Sequence, residues 1–122
     1  MGKDIFQLEM IVQYCKDIED AIERFGNDIE DYIEDKHYQN LCSFYINQIG
    51  ENIKNVSARS KERYSEILWT EISKVRDDIA HKYHKVDSER IWYMISEEIP
   101  KLKETCEKIL EEIRTPKKKR TG

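Results

Sequence analysis

The chain has 122 residues, a formal net charge of -4, 38% charged residues and a mean hydropathy of -0.82. A chain of this length is sufficient for one domain with one hydrophobic core. The sequence contains no apolar run long enough to span a membrane and does not open with a signal-peptide pattern, so we predict a cytosolic protein with no membrane association.

The first half of the chain is predicted to form two helical regions. In the first, Asp4 to Phe25, apolar residues recur every three or four positions. Gly26 predicts its end, because glycine tolerates the left-handed conformation common after a helix. The second region runs from Asp28 to Val56, with a break predicted near Asp35. Gly50 lies within it and is expected to let another helix approach closely, since glycine otherwise destabilises a helix.

The second half begins with a polar segment, Ser57 to Ser65, that lacks periodicity and is predicted to be a loop or a single turn. A third helix is predicted from Ile67 to Ala80. A fourth is expected to start with Asp87 or Ser88 as its N-cap and to continue to Ile113. Pro100 lies inside this last run, where a kink is expected rather than a full break.

Four amphipathic helices with short connections predict an all-α antiparallel bundle, of four to five helices if the second region is broken. This domain is expected to occupy residues 1–115, with residues 116–122 as a disordered basic tail. The tail carries four positive charges, which leaves -8 on residues 1–114. A domain with this negative charge repels nucleic acid in general, so a polyanion would have to bind in a local basic groove.

Three separated cysteines, Cys15, Cys42 and Cys106, form no C-x2-C pair and give no sign of a zinc site or a disulfide framework. Each lies on an apolar helical face and is predicted to be buried. His81 and His84 are spaced i,i+3, but no third ligand is evident. We therefore predict no metal and no cofactor.

The most informative stretch contains an R-x4-H-x-Y pattern formed by Arg76, His81 and Tyr83. Arg76 falls within the apolar stripe of the third helix, where a guanidinium is costly unless an anion meets it. Position 81 lies about 140° around and about 7.5 Å along an ideal helix from position 76. One straight helix therefore does not direct both side chains to one point. Either the helix is distorted or ends near His81, or two chains assemble the site.

These residue types suit RNA cleavage without a metal. Histidine can transfer the proton of the 2′-hydroxyl, and arginine matches the phosphate oxygens on which charge develops. Tyr83 could donate to a phosphate or stack on a base, and Lys74, Lys82 and Lys85 supply positive charge beside the motif.

Alone, however, an R-x4-H match is weak, and its spacing favours a purely structural role. Arg76 could pair with Glu51 or Asp78, and His81 could cap the helix C-terminus.

A larger set of residues resembles the HepT type of HEPN-domain protein over most of the chain. The resemblance is carried by Gln48-Ile49-Gly50-Glu51, Trp69, the R-x4-H-x-Y motif, Val86-Asp87, Trp92 and Ile99-Pro100-Lys101-Leu102, in that order. HepT proteins are ribonuclease toxins whose antitoxin is a minimal nucleotidyltransferase (MntA).

The resemblance implies an all-helical homodimer whose two motifs face each other across a cleft. It implies that Arg76 and His81 are the catalytic pair, that Asp77 shapes the site, and that the nucleotidyltransferase attaches AMP to Tyr83 and so inhibits the toxin. Two other interpretations stay open: a non-catalytic subunit that binds nucleotide or RNA for a partner nucleotidyltransferase, and a helical dimer with only a structural role.

Overall fold

The computed structural model of the chain describes residues 2–65, 69–81 and 87–115, and for Ala80 and His81 it describes the backbone alone. The described residues are helical and contain no strand, which confirms the predicted all-α fold. Within these ranges, no helix is both long enough and apolar enough to cross a bilayer. The cytosolic location stays a prediction, and the predicted disorder of the tail concerns residues outside the described ranges.

The bundle is built around its first helix. The helices are α1 (Ile5–Phe25), α2 (Ile29–Glu34), α3 (Lys36–Lys54), α4 (Ala58–Arg63), α5 (Trp69–His81), α6 (Ser88–Tyr93) and α7 (Ile99–Arg114). A 3-10 turn (Gly2–Asp4) precedes α1, and a π-helical segment (Met94–Glu98) joins α6 to α7. Helix α1 packs against both α3 and α7, whereas α5 packs mainly against α3. The order of packed helices is therefore α5, α3, α1, α7.

The core follows the predicted apolar stripes closely. Helix α1 buries Leu8, Ile11, Val12, Cys15, Ile18 and Ala21, and α3 buries Tyr38, Cys42, Ile46, Ile49, Gly50 and Ile53. All three cysteines are free and buried, as predicted. Ile33 is apolar and lies in the predicted second helical region, but it is 45% exposed. Because neighbouring helix residues point about 100° apart, burial of Tyr32 turns Ile33 toward solvent.

Local capping chemistry sets the helix boundaries. Gly26 follows α1 with φ 126°, in the region that favours glycine. The predicted break near Asp35 is confirmed, because Asp35 follows α2 and its carboxylate accepts the backbone N–H groups of His37 and Tyr38 at 2.9 and 3.2 Å. Asp87 is the N-cap of α6, as predicted.

Pro100 does not break the final helical run. The π-helical segment lies immediately before it, and α7 continues from Ile99. Proline removes one backbone hydrogen bond, and an isolated π turn is one of the irregularities that occur inside otherwise continuous α-helices. The wider turn also changes which residues face inward, since the neighbouring residues Met94 and Ile95 are both fully buried.

The segment predicted as a loop or a single turn contains a short helix, α4. The Ser57 hydroxyl caps it by accepting the Ser60 N–H at 3.2 Å. The Asp4 carboxylate accepts the Ser57 N–H at 2.9 Å and the hydroxyls of Ser57 and Ser60 at 2.7 and 2.6 Å. Because its buried residue, Ser60, is polar, this helix gives no apolar periodicity to detect.

Candidate active site

Arg76 lies on the face of α5 that packs against α3. Trp69, Ile72 and Val75 of this face are buried, and Ile79 is half-buried. The Arg76 side chain is only 13% exposed, which confirms that it belongs to the buried stripe. A permanently charged group in this position needs anionic partners.

Gly50 of α3 makes room for the Arg76 stem. A Cβ atom at position 50 would lie 2.5 Å from Cγ, 2.7 Å from Cβ and 3.1 Å from Cδ of Arg76. These distances are shorter than ordinary van der Waals contact, so only glycine lets the two helices approach this closely. The predicted close approach of another helix at Gly50 is confirmed, and the group that approaches is Arg76.

Two carboxylates meet the Arg76 guanidinium. One terminal nitrogen is paired with Glu51 of α3, and the other donates to Asp77 Oδ1 at 3.0 Å. The pairing with Glu51, one of the two partners considered from sequence, is confirmed. The Nε atom is buried and has no hydrogen-bond partner among the described residues. The two terminal nitrogens of Arg76 are therefore held by carboxylates, while the aliphatic part of the side chain lies against Gly50.

Helix α5 is regular from Arg76 to His81. Within the described residues α5 shows no distortion between these two positions, and it is described as far as His81. The alternative that the helix ends near His81 stays a prediction, because residues 82–86 lie outside the described ranges. On an unbroken α-helix, positions 76 and 81 differ by about 140° in direction. A site shared by two chains therefore remains one of the two alternatives, together with a helix that ends near His81.

Comparison with known proteins relates residues 11–109 to the family model described as ribonuclease HepT-like. The chain belongs to the HepT-like ribonuclease family. It is 37% identical over 101 residues to the "Probable ribonuclease HepT" of Thermococcus cleftensis, covering 79% of this chain and 92% of that one. It is 32% identical over 104 residues to a "Putative RNase" of Caldanaerobacter subterraneus subsp. tengcongensis, covering 85% and 91%.

A third relative is longer. It is the "Gamma-glutamylcyclotransferase and putative RNase" of Methanocaldococcus jannaschii, 35% identical over 106 residues. The match covers 87% of this chain and 44% of that protein. No solved structure gives a significant match. Family membership confirms the prediction that this chain is a HepT-type ribonuclease.

Several predicted site residues of this HepT-like chain lie outside the described residues. They are Tyr83, Lys82 and Lys85, together with the side chain of His81. Lys74 is exposed on α5, and Asp77 is exposed and paired with Arg76. The structure thus brings Arg76 and Asp77 together, and the roles of the other residues stay predictions.

Lys54 is a neighbour of this site that the sequence interpretation did not include. Its Nζ atom lies 3.9 Å from Oε2 of Glu51, the carboxylate that pairs with Arg76. The i,i+3 spacing of Glu51 and Lys54 on one helix was the available signal. On the same helix, Gln48 donates to the Tyr14 hydroxyl of α1 at 3.5 Å, which joins the α3 surface to α1.

The cysteines offer no alternative nucleophile. Burial raises the pKa of Cys42 and of Cys106 to about 12, and it also raises the pKa of Cys15. A thiol reacts as the thiolate, so these side chains are unreactive near neutral pH. Across the described part of the chain, no group of three or more His, Cys, Asp or Glu side chains is arranged to hold a metal ion.

Proposed function

We propose that this chain is a metal-independent endoribonuclease and the toxin of a toxin–antitoxin pair. Arg76 binds the scissile phosphate, and His81 transfers the proton. The observation that supports the proposal most is an arginine held by its stem against Gly50, with its guanidinium at the α3–α5 surface, in a chain of a ribonuclease family. An arginine held in this way can present a fixed set of donors to a phosphate.

The reaction needs a base and an anion-stabilising group. His81 accepts the proton of the ribose 2′-hydroxyl, whose oxygen attacks the adjacent phosphorus. The bond from phosphorus to the 5′-oxygen breaks, and the 5′-oxygen takes a proton from solvent water. Arg76 stabilises the negative charge that develops on the nonbridging oxygens. A histidine that titrates near neutrality is suited to such transfer, which is worth about 10²–10⁴ in rate. Asp77 orients the Arg76 guanidinium through the bond at 3.0 Å.

The active species is a homodimer in which Arg76 of one protomer and His81 of the other act on the same phosphate. The helical spacing of positions 76 and 81 supports this arrangement, because on a continuous helix the two positions face about 140° apart. Four further residues contribute RNA contacts: Tyr83 and Lys82 lie within the motif, and Lys74 and Lys85 flank it.

The direct test is cleavage of RNA in the presence of EDTA. Wild-type protein should cleave, and Arg76→Ala and His81→Ala should each lose at least about 10²-fold in kcat/KM. Arg114→Ala is the matched control, because Arg114 pairs with Glu9 across α1 and α7, on the other side of the bundle. Full activity of His81→Ala would reject the assignment.

Mixing the two inactive variants tests the shared site. If Arg76 and His81 act across the dimer, a mixed dimer of Arg76→Ala and His81→Ala contains one intact pair, and random mixing should restore about a quarter of wild-type activity. If both residues act within one chain, mixing restores nothing. Failure to restore activity would leave the chemistry in place but reject the shared arrangement.

The proposed regulation is addition of AMP to Tyr83 by a cognate MntA-like nucleotidyltransferase antitoxin. Intact mass spectrometry of the protein co-expressed with its partner should show added AMP and loss of RNA cleavage. Tyr83→Phe should lack the added mass. An unchanged mass in the wild-type protein would contradict this part of the proposal.

A second candidate function is a non-catalytic subunit that binds a nucleotide or RNA for a nucleotidyltransferase. Two observations favour it: both terminal nitrogens of Arg76 are engaged by carboxylates, and residues 1–114 carry a charge of -8. Saturable nucleotide binding without cleavage at any salt concentration would support this function over the first. If Arg76→Ala changed stability alone, a purely structural dimer would be the better description.

A further inference from the structure

The Arg76 guanidinium is covered by the protein's own anions. Its side chain is 13% exposed, whereas the Glu51 and Asp77 side chains that pair with it are 45% and 52% exposed. The carboxylates are therefore more accessible to solvent than the guanidinium. Since the buried Nε has no partner among the described residues, these two carboxylates satisfy the charge of the group.

A carboxylate and a phosphate use the same donors of a guanidinium. An RNA phosphate that binds Arg76 must therefore displace at least one carboxylate, and it must approach against the negative charge of both. Asp77 follows Arg76 directly on α5 and moves with it. Glu51 belongs to α3, so its side chain can leave Arg76 without any movement of α5.

Lys54 is an alternative cationic partner for the displaced Glu51 carboxylate. Its Nζ atom is 3.9 Å from Glu51 Oε2 and its side chain is 51% exposed. Residues three apart on a helix face the same side, so rotation of the Glu51 side chain is enough to exchange Arg76 for Lys54. The exchange keeps the Glu51 charge paired.

We propose that Glu51 is an internal competitor that occupies Arg76 in the free protein, and that it transfers to Lys54 when an RNA phosphate binds. The proposal rests on the proposed function only in taking Arg76 as the phosphate ligand. It assigns Glu51 a role in substrate affinity and not in the chemical step.

The test is binding of a fluorescent, fully 2′-O-methylated RNA oligonucleotide, which lacks the nucleophile and cannot be cleaved by the proposed reaction. Glu51→Gln keeps the shape of the side chain and removes its charge, so the dissociation constant should fall by about 10-fold at low salt, and by less as salt rises. Glu9→Gln is the matched control, since Glu9 is 49% exposed and also pairs with an arginine, Arg114. It removes the same charge at the opposite side of the bundle and should change binding by less than about 2-fold.

A double-mutant cycle tests the transfer. Lys54→Gln should weaken binding in the wild-type background, because the released Glu51 loses its acceptor. The same substitution should have no further effect in Glu51→Gln, unless Lys54 contacts RNA itself, which would reject the transfer. Thermal melts of every variant establish that the fold is retained.

The outcomes separate this inference from the proposed function. If Arg76→Ala does not weaken binding of the same oligonucleotide, the phosphate role of Arg76 fails. If Arg76→Ala weakens binding but Glu51→Gln binds no more tightly than Glu9→Gln, only the competition is overturned. Asp77→Asn provides a second variant that leaves the α3–α5 ion pair intact, and it should also tighten binding.

Discussion

Replacing Gly50 by alanine should damage activity more than stability. The added Cβ would lie 2.5 Å from Arg76 Cγ and 2.7 Å from Arg76 Cβ. Carbon atoms in ordinary contact are about 3.5–4.0 Å apart, so a movement of about 1 Å is required. Rotation about the side chain can move Cγ, but Cβ is attached to the backbone, so α5 itself must move away from α3.

The cost in stability is partly offset. Overpacking of this kind costs about 1–3 kcal/mol, and replacing a glycine inside a helix gains about 0.5–1 kcal/mol. The free energy of unfolding should therefore fall by about 0–2.5 kcal/mol. A displacement of about 1 Å at a catalytic group can cost about 10² in rate, so we expect a loss of that size in kcat/KM.

Urea unfolding and RNA cleavage kinetics would measure the two effects separately. Asn40→Ala, at an exposed position of the same helix, controls for the addition of an alanine to α3 and should leave kcat/KM unchanged. In an Arg76→Ala background, Gly50→Ala should cost less stability, because the Cγ and Cδ contacts are gone. A Gly50→Ala protein that is more stable than wild type and fully active would refute the reasoning.

Two further predictions concern the scaffold. Burial opposes ionisation of Asp4, but the hydrogen bonds from Ser60 and Ser57 outweigh it, so the Asp4 pKa is lowered. The ionised carboxylate therefore stabilises the folded protein at pH values above the ordinary Asp pKa of about 4. This stabilisation is lost as the pH falls through the lower pKa of the folded state. Asp4→Asn should therefore cost about 1.5–3 kcal/mol at pH 7 and show a flatter loss of stability below pH 4 in urea titrations; identical pH profiles would contradict this. The Tyr38 hydroxyl donates to the Gly26 carbonyl at 2.9 Å, so Tyr38→Phe should lower the free energy of unfolding by about 1 kcal/mol, whereas Tyr93→Phe, at a 52% exposed position, should change it by less than about 0.5 kcal/mol.

Features that depend on neighbouring residues were accessible from the sequence. The break at Asp35 and the start of α6 at Asp87 follow from carboxylates that accept nearby backbone N–H groups. The position of Arg76 on the buried face follows from helical periodicity alone. The π-helical segment before Pro100 was not predicted, because a proline signals an irregularity without specifying its form.

Features that join distant parts of the chain were accessible only as open alternatives, or not at all. Asp4 bonds to Ser57 and Ser60, which lie 53 and 56 residues away, and this contact fixes a helix without an apolar pattern. Apolar periodicity predicts which face of a helix is buried, but it does not predict which other helix packs against that face. Polar partners across such a contact are therefore not singled out by the sequence: Glu51 was one of two candidates for Arg76, and nothing indicated Ser57 and Ser60 as partners of Asp4.

The sequence by itself determined the long amphipathic helices, the burial of the cysteines and the placement of an arginine among apolar residues, since each depends on local spacing. The tertiary structure decided that α3 covers this arginine, that Gly50 receives its stem, and that Glu51, 25 residues away, neutralises its charge. The physical reason is that a guanidinium in a helix interface takes whichever carboxylate the packing of two helices brings within reach, and that packing is a property of the whole bundle.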